Sequence, residues 1–141
     1  MNSPDRRVVL DATAIVDYLL RGPGWETVEK LLPHSVVATP NLAESLAVIA
    51  ERKAQRRTSE QLAGALNDLG TVYEGCEPED AVRAAELIAH SRLHPVGKGK
   101  LTLSLGDALC IAVGERLGLP IAGADQLWET LDLRVKFLPY R

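Results

Sequence analysis

Five short β-branched or apolar runs recur along this chain, and a helical pattern separates most of them from the next. The runs are Arg7–Leu10, Ser35–Thr39, Thr71–Glu74, Leu119–Ala122 and Val135–Leu138. Helices are predicted over Thr13–Leu20, Trp25–Leu32, Pro40 to about Gln55, Thr58 to Gly70, Pro78 to about Arg92, Ser104–Leu117 and, briefly, Gln126–Leu131. Gly22-Pro23-Gly24, Pro33, Gly70 and Gly118 punctuate them. Strands alternating with helices require long crossovers between parallel neighbours, with helices covering both sheet faces. The expected class is therefore α/β: one three-layer α/β/α domain over residues 1–141, with a mostly parallel central sheet. A length of 141 residues suits one such unit.

The same patterns place the core. Leu42, Leu46, Ile49 and Ala50 share one stripe of the third helix; Leu62, Leu66 and Leu69 line the next. Ala81, Ala85, Ile88 and Ala89 are expected to face inward from the helix that Pro78 opens. Pro40 fits the first position of its helix with Thr39 as its cap. The basic cluster Arg52, Lys53, Arg56 and Arg57 reads as a solvated helix face.

Composition narrows the function classes. Apolar residues at 46% and charged residues at 25% exclude a disordered chain. The longest apolar runs, Ala108–Val113 and Leu46–Ala50, fall far short of the ~18 residues a membrane span needs. The N-terminal residues lack a secretory apolar stretch, so a cytoplasmic protein without a membrane partner is expected. Cys76 and Cys110 form no CxxC motif and no zinc-spaced cluster. Cys110 reads as a small core residue and Cys76 as a turn residue. The net charge of −3 does not advertise nucleic-acid binding, yet a few acids gathered in one site would account for it.

Four acids carry the chemistry: Asp11, Glu44, Asp107 and Asp125. Each alone has an ordinary explanation. Asp11 and Asp125 follow strands and suit helix caps; Glu44 lies early in its helix; Ser104 and Asp107 fit a capping pattern. Together they mean more. Parallel strands deliver their C-terminal ends to one edge, where Asp11 and Asp125 must lie and where Glu44's helix begins. Asp107 opens the most apolar helix, Ala108-Leu109-Cys110-Ile111-Ala112-Val113, with no basic residue within six positions before it or eight after it. A carboxylate on a buried helix is costly unless it caps, pairs or meets a cation. Clustered acids without sulfur or spaced His ligands favour Mg²⁺, with Mn²⁺ able to substitute.

The segments Val8-Val9-Leu10-Asp11-Ala12-Thr13-Ala14-Ile15-Val16, Pro40-Asn41-Leu42-Ala43-Glu44-Ser45-Leu46, Leu103-Ser104-Leu105-Gly106-Asp107-Ala108-Leu109 and Leu119-Pro120-Ile121-Ala122-Gly123-Ala124-Asp125-Gln126-Leu127-Trp128 resemble, in order and spacing, the PIN domain family. The likeness is specifically to VapC-type toxins of bacterial toxin–antitoxin pairs, over essentially the whole chain. The resemblance implies a metal-dependent endoribonuclease that leaves 5′-phosphate and 3′-hydroxyl ends. It also implies an RNA substrate, a small cognate antitoxin and a homodimer. It assigns Asp11, Glu44, Asp107 and Asp125 to the catalytic quartet. Asp11, Asp107 and Asp125 are the expected metal ligands, Glu44 is a ligand or orients the attacking water, and Thr13 supports the first acid. One departure is Gly123, which stands where similar proteins often carry Thr or Ser; backbone or water would have to supply that hydrogen bond. A second source of partner contacts is the apolar content of the helices over Trp25–Leu32 and Leu42–Ala54.

Cations must hold the RNA backbone against the acids. Lys98 and Lys100, on the loop before Asp107, and Arg21, after the first helix, are the candidates. His34, His90 and His94 read as surface residues, and Trp25 and Trp128 as packing residues. Other readings stay open: a PIN-type RNA-processing nuclease without an antitoxin, a catalytically weak RNA- or protein-binding module, and a phosphorelay receiver. The receiver wants an adjacent acid pair after strand one, where Asp11 has Leu10 and Ala12. A haloacid-dehalogenase-like phosphatase wants D-x-D where the chain has Asp11-Ala12-Thr13. A dinucleotide binder wants a Gly-rich turn there.

Overall fold

The computed structural model describes residues 6–53 and 55–141. Residues 1–5, read above for a leader, and Ala54, expected from the sequence to lie in the third helix, are outside the described residues. Five strands, β1 (Val8–Leu10), β2 (Ser35–Ala38), β3 (Val72–Glu74), β4 (Ile121–Gly123) and β5 (Phe137–Pro139), form one sheet in the order β3-β2-β1-β4-β5. All four pairings are parallel. Six helices connect them: α1 (Ala12–Leu20), α2 (Trp25–Leu31), α3 (Thr39–Arg52), α4 (Ser59–Asp68), α5 (Pro78–Leu93) and α6 (Leu105–Leu117). Two 3₁₀ turns, Leu32–His34 and Gln126–Thr130, complete the chain. Each expected strand is present, with its ends displaced by no more than two residues.

The pleat sends successive side chains to opposite faces, and two cores follow. Val9, Val36 and Ile121 pack under α5 and α6 with Ala84, Leu87, Cys110, Ile111 and Trp128. Val8, Leu10, Val37 and Ala122 face the other way, against Ala14 and Ile15 of α1, Val28 of α2 and Leu66 of α4. Helix α3 touches α1, α4 and α6, so it bridges both layers beside the sheet.

Three expectations about helices are corrected. Helix α5 buries Asp80, Ala84, Leu87 and Ser91, while Ala81, Ala85 and Ala89 are exposed and Ile88 packs only in part. Polar contacts set that face: Arg116 bonds both Asp80 oxygens at 3.0 Å, and Ser91 Oγ accepts from Leu103 N at 2.8 Å. Alanines contribute too little apolar area to overrule such contacts. Helix α3 buries Asn41, Ser45 and Ile49, leaving Leu42 and Leu46 half-buried and Ala50 exposed. It starts at Thr39, with Ala38 as the extended residue before it and no side-chain cap. It ends at Arg52 with Lys53 left-handed (φ 53°), so the basic cluster straddles a helix end rather than one helix face.

Other local expectations hold. Thr58 and Gln61 form a reciprocal capping box at α4. Cys110 is buried, Cys76 is exposed, and His34, His90 and His94 are all exposed. Trp128 is buried against Phe137, with ring centroids 5.6 Å apart. No described helix is long and apolar enough to cross a membrane.

Candidate active site

Strand β1 pairs with β4 so that Leu10 faces Ala122, and the chain turns immediately into α1 at Asp11. Asp11 is only 2% exposed. Its Oδ1 accepts from Ala14 N at 2.7 Å, capping α1, and its Oδ2 accepts from Ala124 N at 3.4 Å. The capping reading of Asp11 is therefore true as structure. The second oxygen, however, points across to the β4 exit rather than into α1. Gly123 is what permits this: a Cβ there would stand 2.9 Å from Asp11 Oδ2 and 3.2 Å from the Phe137 ring. With glycine at 123 offering no hydroxyl, the backbone N–H of Ala124 serves the carboxylate.

Glu44 projects from the second turn of α3 and is exposed. Asn41, wholly buried one turn earlier, donates from Nδ2 to Glu44 Oε1 at 3.2 Å and to Gly106 O at 3.0 Å. Gly106 lies at the start of α6, and a Cβ at that position would collide with the Glu44 carboxyl group. Glu44 is thus seated on the first turn of α6, next to Asp107. Asp107 N donates to Ser104 Oγ at 3.2 Å, so Ser104 caps α6. Asp125, half-buried, accepts at Oδ1 from Leu127 N at 2.9 Å and caps the 3₁₀ turn.

Electrostatics tie these acids together. Burial pushes the Asp11 carboxyl up to about 7; the bonds from Ala14 and Ala124 oppose the rise, and the charges of Asp107 and Asp17 add to it. Burial also pushes Asp107 up to about 6, opposed by Ser104 and reinforced by the charges of Asp125 and Glu44. Among the described residues none of the four acids forms an ion pair. Nor do any three His, Cys, Asp or Glu side chains among them close into a metal cage.

The remaining candidates are placed differently. Thr13 is exposed on the first turn of α1 and its hydroxyl bonds none of the described residues. Lys98 and Lys100 are exposed on a tight hairpin closed by Val96 N to Leu101 O at 3.0 Å and Leu101 N to Val96 O at 2.9 Å. Gly97 (φ 74°) and Lys100 (φ 49°) turn its tip. Arg21 caps the far end of α1, about 14 Å along the helix from Asp11, with its guanidinium 4.9 Å over the Trp25 ring.

Two residues of this edge escaped the sequence reading. Asn41 is a polar residue at a buried helical position three before Glu44, and Gly106 is a glycine in the first turn of a buried helix. Both break a local rule, and that break was the available signal. A buried neighbour, Asp17, was also unforeseen. It accepts from Tyr140 Oη at 2.5 Å and pairs with Arg141 at 3.2 Å, joining α1 to the segment after β5.

The PIN domain family matches residues 8–132, and the chain belongs to that family. Among curated proteins none matches significantly by sequence. Among solved structures, a toxin–antitoxin complex from Klebsiella pneumoniae superposes with a TM-score of 0.70 at 13% identity, covering 95% of this chain and 98% of that one. Mycobacterium tuberculosis VapC20, a toxin that cleaves the sarcin–ricin loop, gives 0.65 at 15% identity, covering 92% and 98%. FitAcB from Neisseria gonorrhoeae gives 0.66 at 15%, covering 94% and 97%. The fold is thus that of the VapC-type toxins.

Proposed function

We propose that this chain is a metal-dependent endoribonuclease and the toxin of a toxin–antitoxin pair. The observation that carries the reading is the pair Asp11 and Asp107. Asp11 is buried and Asp107 half-buried, their carboxyl groups raised to about 7 and 6, with no basic partner among the described residues and the charges of Asp125 and Glu44 bearing on Asp107. A fold does not keep such groups unpaired without a use for them.

The donor set fits a hard divalent cation: the four acids offer oxygen ligands only, and the nearby Cys110 thiol, buried against Leu10 O at 3.8 Å and pushed well up by burial, is kept from acting as a thiolate ligand. Asp11, Asp107 and Asp125 would hold Mg²⁺, or Mn²⁺ in its place. The exposed Glu44 and half-buried Asp107 and Asp125 have room to move toward it. The bound ion would supply a water of lowered pKa and neutralise charge on the scissile phosphate. The chain's own residues do the rest. Asp11 is fixed by two backbone N–H groups. Glu44, seated on α6, is placed to orient the attacking water or to complete the ligand set. Thr13 lies on the turn that supports Asp11. Lys98 and Lys100 would hold the RNA backbone beside the acids, and Arg21 would reach only a longer RNA.

The toxin reading draws on the fold shared with a toxin–antitoxin complex and with an RNA-loop-cleaving toxin. It brings with it a small antitoxin, a homodimer and a cytoplasmic setting. The test is cleavage of total RNA by the purified protein with Mg²⁺, with a chelator, and with the product of an adjacent small gene. Cleavage that needs the metal and is silenced by that product is expected. Undiminished cleavage in chelator overturns the metal; cleavage that no neighbouring product silences favours an RNA-processing nuclease. No cleavage with Mg²⁺ or Mn²⁺ favours a binding module.

A further inference from the structure

We propose that Asn41 is a positioning residue for Glu44. Its buried amide locks the Glu44 carboxylate to the first turn of α6 and so sets its place beside Asp107. The proposal rests on reading the four acids as the working site.

The geometry is specific. Asn41 is the third residue of α3 and is 0% exposed. Both partners of its Nδ2, Glu44 Oε1 and Gly106 O, are acceptors, so the amide orientation is determined; the flipped amide would set oxygen against oxygen. The two bonds join three points: α3 at its own start, the Glu44 side chain one turn on, and the backbone of α6 one residue before Asp107. Gly106 completes the seat by leaving the space of a Cβ to the carboxyl group. Glu44 is otherwise an exposed side chain, and no other hydrogen bond or ion pair holds its carboxylate among the described residues.

The arrangement has a cost that a structural role does not explain. Asn41 Oδ1 is buried and has no hydrogen-bond partner among the described residues. Buried polar atoms are nearly always satisfied, and an apolar residue of the same shape would leave no orphan. Leu would lose the two Nδ2 bonds but leave no orphaned oxygen, so stability alone gives asparagine no clear advantage at this position. The asparagine keeps its place through what its nitrogen holds.

The test reads position and function separately. In ¹⁵N-labelled protein the Asn41 side-chain amide, assigned by its loss in Asn41→Leu, is expected to exchange slowly with water and to shift in Glu44→Ala. Fast exchange, or no response to Glu44→Ala, overturns the proposal whether or not the protein cuts RNA. Asn41→Leu is expected to melt at or above the wild-type temperature. It should also lower the single-turnover rate at saturating RNA by about 10–100-fold, the scale for residues that orient a metal ligand. KM for RNA should stay near the wild-type value. In a Glu44→Gln background the same change should cost little further, because its effect passes through Glu44. A wild-type rate in Asn41→Leu, or an equal loss in both backgrounds, overturns the proposal. Should Asn41→Leu melt far lower, Asn41→Ser, which retains one donor, is expected to recover part of the rate; no recovery overturns it. A wild-type protein that cuts no RNA with Mg²⁺ or Mn²⁺ refutes the ribonuclease reading instead, and the amide resonances then decide for Asn41.

Discussion

Helix α6 carries two acids about 12 Å apart along its axis, and the protein treats them in opposite ways. Glu115, in the last turn, receives Arg83 at 2.6 and 3.1 Å and the backbone N–H of Arg134 at 2.8 Å. Burial pushes its carboxyl up, but Arg83 and Arg134 outweigh burial and hold it below the usual value. Asp107, in the first turn, has only the Ser104 hydroxyl to oppose burial, and it rises to about 6. Beyond Glu115 lies a second paired acid, Asp80, bonded by Arg116, which also reaches Glu74 at 3.2 Å. At one end of the helix arginines neutralise Glu115, Asp80 and Glu74; at the other, acids gather with no arginine paired to them among the described residues. A chain that can pair its carboxylates, and does so elsewhere, leaves these unpaired among the described residues, which is what the proposed metal-dependent function requires.

The hardest test of this contrast is Asp11→Asn. Cleavage is expected to fall by about 10²–10³-fold, the scale for losing one group that stabilises developing charge. The fold should survive, because Asn still accepts from Ala14 N and caps α1. Retained cleavage, with equal Mg²⁺ stabilisation of variant and wild type in thermal melts, would reduce Asp11 to a cap.

Next in size is the pH response of metal-free protein. Asp11 and Asp107 are raised from 3.8 to about 7 and about 6 in the folded state. Between these values the folded chain binds more protons than the unfolded one, so its stability is full below about pH 4 and is lost as pH rises through about 6 to 7. Asp11 alone carries about 3–4 kcal/mol of this at the upper limit. Chemical denaturation from pH 4.5 to 7.5 in chelator measures it, and Asp11→Asn should flatten the profile. Saturating Mg²⁺, at 100 times its Kd, should restore about 2.7 kcal/mol at pH 7. A stability that climbs over this range would mean that the acids are paired after all.

Arg83→Met probes the other end. It leaves Glu115, whose side chain is 4% exposed, with only the Arg134 N–H. A loss of about 2–3 kcal/mol is expected, somewhat under the figure for a fully buried pair, with cleavage and Mg²⁺ response unchanged. The two ends then differ in kind: loss of charge at Asp11 costs activity, and loss of charge at Arg83 costs stability.

The alternation of strands and helices was legible because short parallel strands carry strong β-branched runs, Val8-Val9-Leu10 and Val36-Val37 among them. The facing of α5 was not. Its alanines lie on several sides, and the choice among faces falls to Arg116 and Ser91, whose partners lie 36 and 12 residues away in sequence. The acidic edge was legible as residue types and strand ends, since Asp11 and Asp125 follow strands directly. Its internal geometry was hidden. That Gly123 makes room for an Asp11 oxygen, and Gly106 for Glu44, depends on contacts between residues far apart in sequence that no local pattern encodes.

The smallest expected effect concerns Lys98 and Lys100, and it sharpens the contrast most finely. Two roles are possible for cations beside unpaired acids: neutralising the acids or holding the substrate. Their hairpin is closed by Val96 and Leu101 and holds both side chains in water, where an ion pair is worth little. Holding RNA is therefore the expected role. Lys98→Ala and Lys100→Gly should leave the melting temperature, its pH profile and the Mg²⁺ shift unchanged. Glycine suits the left-handed conformation at position 100 (φ 49°), so that change adds no strain. RNA binding should weaken, with the slope of log K against log salt falling by about 0.7 for each lysine removed, and the rate at saturating RNA should hold. An altered pH profile with an unchanged salt slope would show the lysines serving the acids instead, and the acidic end of α6 would then be paired like the other.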